Sequence, residues 1–112
     1  MGYKYFMRLR YYTTARGVRP VADYINGLSR ADQAIVAAAL LEIAESGFAA
    51  RGVTFRQIAG KLWEVRIGPQ RVFYVLLRPE EMLLLYAYRK QSQKAPARHL
   101  EIARRRMLEV LL

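Results

Sequence analysis

The chain has 112 residues, 54% of them hydrophobic, which leaves room for one domain over 1–112 with a modest core and not for two. It has no Cys and a single His, His99, so disulfide frameworks, cysteine nucleophiles and multi-histidine metal sites are excluded. Nineteen Lys and Arg against nine Asp and Glu give a formal charge of +10, which attracts polyanions: nucleic acid, an acidic partner protein, or both in turn.

Residues 3–12 alternate, with Tyr3, Tyr5, Met7, Leu9 and Tyr11 on one side and Lys4, Arg8 and Arg10 on the other, the period of a half-buried strand. This N-terminal stretch lacks the apolar centre of a signal peptide, and no apolar run reaches the length of a membrane span, so a cytoplasmic protein is expected. A membrane surface is also disfavoured, because the basic residues do not gather on one amphipathic helix. Pro20 suits the first position of a short helix carrying Val21, Tyr24, Ile25 and Leu28, with Gly27 near its end. Ser29-Arg30-Ala31-Asp32 has capping-box form, with Asp in place of Glu or Gln, and opens a second helix. Its stripe is Val36, Ala39, Leu40 and Ile43, and Gly47 is its stop.

A looser stretch from Phe48 to Gly60 is followed by three strand-like runs, 61–67, 71–78 and 82–90. Gly68-Pro69-Gln70 and Pro79-Glu80-Glu81 are the turns between them, which predicts an antiparallel meander. Pro96 then starts a final helix with Leu100, Ala103, Met107 and Val110 on one side. The fold class is α+β, in the order β-α-α-β-β-β-α, with a twisted, mainly antiparallel sheet and helices packed on it.

Leu62-Trp63-Glu64-Val65-Arg66, Gln70-Arg71-Val72-Phe73-Tyr74, Tyr88-Arg89-Lys90, Gln93-Lys94-Ala95-Pro96 and Glu101-Ile102-Ala103 stand in order and spacing over residues 60 to about 104. This half of the chain resembles the RelE/HigB toxin superfamily, in particular its phage-derived, HigB-like branch; the first half fits in its β-α-α outline. The resemblance implies a RelE-like fold and a type II toxin that inhibits translation by cleaving mRNA, on the ribosome or free, with no metal and no cofactor. It also implies silencing by a partner antitoxin, commonly a helix-turn-helix protein of HigA-like kind.

RNA is cut without metal when its 2′-hydroxyl attacks the neighbouring phosphate in line, leaving a cyclic phosphate and a free 5′-hydroxyl. The protein must place the two oxygens, neutralise charge on the phosphorane and move two protons. Arg supplies fixed bidentate donors for phosphate. Lys is a point charge, or an acid or base where burial among cations lowers its pKa. The residues available are Arg66, Arg71, Arg89, Lys90 and Lys94. By the family pattern Arg71 matches the arginine that stabilises the transition state, and Lys90 the second basic position, either proton donor to the leaving oxygen or phosphate clamp. Arg66 and Arg89 are then supporting phosphate contacts, and Lys94 holds RNA backbone or the ribosome.

Plainer readings stand beside these. Arg66 can pair with Glu64 or a cross-strand neighbour. A three-residue turn over 68–70 pairs Ile67 with Arg71, whereas a four-residue loop sets Arg66 opposite Arg71. Some relatives place a proton-accepting Tyr several residues after the basic pair, where this chain has Ala95-Pro96-Ala97-Arg98-His99. His99, titrating near ~6.5 when unperturbed, is either the general base or a helix-surface histidine. Tyr74 and Tyr88 stack on a base or belong to the core. Trp63 is expected in the core under the helices, Arg104-Arg105-Arg106 in general electrostatics, and residues 107–112 against the sheet or a partner. The runner-up function is a non-catalytic inhibitor like the ParE branch that binds DNA gyrase; a third is a non-toxic phage-derived nucleic-acid-binding protein.

Overall fold

A computed structural model describes residues 6–91 and 96–112. Five strands form one mixed sheet in the order β1-β5-β4-β3-β2, where β1 is Arg8–Tyr11, β2 Thr54–Ala59, β3 Leu62–Ile67, β4 Gln70–Arg78 and β5 Glu81–Arg89. The helices are α1 (Pro20–Asn26), α2 (Arg30–Ser46) and α3 (Ala97–Leu111), with a 3-10 turn at Gly47–Ala49. The strands β2 to β5 form the meander, and β1 runs parallel to β5 at the edge, with Arg8 opposite Glu81.

The local signals act as their chemistry requires. Pro20 opens α1. The Ser29 hydroxyl accepts the Asp32 N–H at 3.1 Å and caps α2. Gly47, at φ 58, ends α2 in a conformation that a side chain disfavours. The alternation of β1 continues from Met7, which is buried, through Leu9 and Tyr11 turned inward, while Arg8 and Arg10 face out. Tyr3, Lys4 and Tyr5 lie outside the described residues.

The element order differs from expectation by one strand, since the stretch read as loose contains β2. A bulge between Gln57 and Ala59 breaks its period of two. Phe55 therefore packs with one side of the sheet and Ile58 with the other. The turns are also one residue shorter than read: Ile67 pairs with Gln70 around Gly68-Pro69, and Arg78 with Glu81 around Pro79-Glu80.

The sheet carries helices on both faces. On one, Val36, Leu40 and Ile43 of α2 and Val21 of α1 pack over Val65, Val72, Tyr74 and Leu84, with Trp63 partly buried among them. On the other, Ala103 and Met107 of α3 pack over Leu62, Phe73, Val75, Leu83 and Leu85. Beyond Met107 the chain is less covered: Val110 packs partly, whereas Leu112 is 99% exposed. Among the described residues no helix is long and apolar enough to cross a membrane.

Candidate functional site

The hairpin of β3 and β4 sets the site. Gly68, at φ 56, takes the first position of the two-residue turn, where a side chain would be strained. That turn fixes the register and brings Arg66 directly opposite Arg71, the second of the two pairings that the sequence allowed. Two cations so placed repel unless each finds acceptors. Arg66 donates from Nε to the Glu64 carboxylate at 3.1 Å. Arg71 turns to the hairpin and donates from Nη1 to the carbonyls of Gly68 at 2.5 Å and Gln70 at 3.1 Å. Its Nε–H is buried and has no acceptor among the described residues.

Behind the two arginines lies an aromatic floor on the α3 face. Tyr88 pairs in register with Arg71, and Tyr86 with Phe73. The rings of Phe73 and Tyr88 are stacked with centroids 5.6 Å apart. Burial, then the charge of Glu64 and a hydrogen bond to it, raise the Tyr88 phenol above its usual range, against the opposing pull of Arg71 and Arg66. The Glu64 carboxylate is buried, at 4% exposure, so Arg66 takes up its negative charge in place of water.

His99, in the first turn of α3, completes the group. Its ring stacks on Tyr88 at 4.2 Å between centroids and 18° between planes. Its Nδ1 lies 2.6 Å from the Tyr86 hydroxyl. Burial, and secondarily Arg98, push its pKa below 6.5, so the neutral imidazole is the resting form at pH 7. It is half-buried and locked to two tyrosines, rather than a free residue of the helix surface.

The remaining candidates are distributed differently. Lys90 is half-buried beside the hairpin turn, where its N–H donates to the Pro69 carbonyl at 2.9 Å. Arg89 follows the opposite face and pairs with Asp32 at the start of α2 at 3.5 Å, so it does not join Arg66 and Arg71. Lys94 lies outside the described residues. Arg106, read with its neighbours as general electrostatics, is an anchor. Its Nη1 donates to the Leu85 carbonyl at 2.8 Å, and its guanidinium lies over the rings of Tyr12 and Tyr86. Sequence reasoning gave Glu64 only as a partner for Arg66 and passed over Tyr86. Their signal was the i, i+2 spacing that puts Glu64 on the face of Arg66 and Tyr86 on that of Tyr88.

The model of the family described as Phage derived protein Gp49-like (DUF891) matches residues 23–108, a span that holds the whole hairpin, Tyr86, Tyr88, Lys90 and His99. The chain belongs to the Gp49-like family. That family lies within the RelE/toxin-like superfamily. A comparison with curated proteins finds no match. In this Gp49-like protein three of the motifs that carried the resemblance form one hairpin and the strand beside it, Glu101-Ile102-Ala103 lies in α3, and residues 93–95 lie outside the described residues.

Proposed function

We propose that this Gp49-like protein is a HigB-like toxin of a type II toxin–antitoxin system, an endoribonuclease that cuts mRNA, in association with the ribosome, and so inhibits translation. The observation that supports this best is the cross-strand pair Arg66–Arg71, with Tyr88 in register with Arg71 and a neutral His99 stacked on Tyr88. Like charges are held together there, one tyrosine away from a group that can accept a proton.

In this reading a backbone phosphate lies against Arg71, whose guanidinium donors outside the bonds to the Gly68 and Gln70 carbonyls, the buried Nε–H excepted, meet its oxygens. Arg66 adds charge while Glu64 fixes its direction. With the His99 Nδ1–H donated to the Tyr86 oxygen, Nε2 is left as acceptor for the 2′-hydroxyl proton. The 2′-oxygen bonds to phosphorus, the bond to the 5′-oxygen breaks, and Lys90 supplies the proton to that oxygen. The products are a 2′,3′-cyclic phosphate and a 5′-hydroxyl end. No metal or other cofactor takes part in this scheme. The proposed silencer is an antitoxin of helix-turn-helix, HigA-like kind, whose acidic segment covers Arg66, Arg71 and Lys90.

The test is induction of the wild type and of Arg71→Ala in growing cells, with mapping of mRNA ends. The wild type is expected to arrest translation and leave 5′-hydroxyl ends. Arg71→Ala should lose roughly 10²–10³ in cleavage rate. A folded Arg71→Ala variant that stays fully toxic would overturn the site assignment. A wild type that blocks gyrase and spares mRNA would put the ParE-like reading in its place.

A further inference from the structure

We infer that the outer face of α2 is a self-association surface, on which a second copy of this chain docks with its own α2 antiparallel to the first. The face turned away from the sheet carries Ala31, Ala34, Ala37 and Ala38 in the open. Ile35 is 56% exposed and Leu41 60% exposed on it. An apolar helix face of this kind on a protein of charge +10 marks a contact surface rather than a solvated one.

The charges on α2 decide the occupant. Asp32 is tied to Arg89, and Glu42 accepts from the Ser46 hydroxyl and the Arg51 N–H. That leaves Arg30, in the first turn, and Glu45, in the last, both exposed and in no ion pair among the described residues. Each opposes the dipole of its own helix, which favours acids at the N-terminus and bases at the C-terminus. An antiparallel copy reverses that conflict: Arg30 then lies beside the negative end of the partner helix and beside its Glu45.

The spacing is self-complementary. A two-fold axis between Ala37 and Ala38 sets Arg30 against Glu45, Ala34 against Leu41, and Ala37 against Ala38, so the large Leu41 side chain meets the small Ala34. Arg30 and Glu45 are about 22 Å apart along the helix, and both ends are matched at once. RNA or an acidic peptide is a poor occupant, because α2 carries three acidic residues and one basic. The surface lies on the face of the sheet opposite Arg66, Arg71 and His99, and Ile35 and Ala38 border the hairpin turn at Gly68.

The experiment is sedimentation equilibrium of the full chain over a range of concentrations, with circular dichroism of every variant. The wild type is expected at twice the monomer mass, and Leu41→Asp as a folded monomer. Arg30→Glu or Glu45→Arg alone should each weaken pairing by roughly tenfold, since two-fold symmetry turns two attractive contacts into two repulsive ones. Arg30→Glu with Glu45→Arg should restore it. Each reversal suits the helix dipole of its own chain, so an undiminished melting temperature in these variants separates lost pairing from misfolding. A wild type that is monomeric throughout, a dimer that survives Leu41→Asp, or a double reversal no tighter than the single ones would overturn the inference.

Discussion

His99 shows how much one side chain's meaning depends on what packs against it. In the sequence it is one histidine near the start of a helix. In the structure it lies flat on Tyr88 with Nδ1 at the Tyr86 hydroxyl, and burial keeps it neutral. Its folded pKa is depressed below 6.5, the value it regains on unfolding. Below 6.5 the unfolded chain therefore binds more protons than the folded one. The stability contributed by the neutral ring is present above that pH and is lost as pH falls through the folded pKa. The melting temperature is expected to be lower at about pH 5 than at about pH 7.5. His99→Phe keeps a ring on Tyr88 but cannot protonate, so it should flatten the dependence. An equal fall in His99→Phe would assign the effect to the carboxylates. The strands that carry Arg66 and Arg71 were legible from the chain because a strand's period and a Gly-Pro turn are local, whereas the pairing of the two arginines stood open between two registers. The environment of His99 was not legible, because α3 reaches it across the sheet.

At the scale of elements, legibility followed the strength of the periodic signal. Pro20, the Ser29 cap and Gly47 delimited two helices in advance, and the apolar runs of β3 to β5 gave the meander. β2 escaped because it is a polar edge strand whose two large apolar residues, Phe55 and Ile58, are three apart across a bulge. Its exposed Thr54, Arg56 and Gln57 guard the edge against pairing with another chain. The run Arg104-Arg105-Arg106 in α3 illustrates the other limit. Helical spacing alone separates their directions, but only docking shows that Arg106 reaches the Leu85 carbonyl at the irregularity of β5 while Arg104 and Arg105 stay exposed. Arg106→Ala is expected to destabilise the fold by about 1–3 kcal/mol, from a charge-assisted hydrogen bond and two ring contacts. Arg104→Ala and Arg105→Ala should each stay within about 0.5 kcal/mol of the wild type. Urea unfolding of the three variants measures this, and equal values for all three would remove Arg106 from its anchoring role.

For the whole molecule, the charge of +10 sets a long-range field, and the structure sorts the cations that make it. Arg8 and Arg10 lean on Glu81, Arg66 on Glu64 and Arg89 on Asp32. Arg71 and Lys90 are in no ion pair among the described residues, and both lie at the hairpin turn. A field from net charge raises the encounter rate of any acidic partner, whereas a local pair of unmatched cations gives one partner a place to stay. The proposed antitoxin segment should need the second. Two double variants separate these effects, because each removes two positive charges. Arg71→Gln with Lys90→Gln empties the candidate site, and Arg104→Gln with Arg105→Gln removes exposed charge from α3. If an acidic segment covers the site, the first should weaken antitoxin binding by about tenfold or more, and its affinity should fall less steeply with salt. The second should change affinity several-fold at most, chiefly through association rate at low salt. Calorimetric titration at low and moderate salt reads both. Equal losses in the two variants would mean that the field alone recruits the partner. Unchanged affinity in the first at both salts would mean that the antitoxin acts from another surface and leaves the hairpin open.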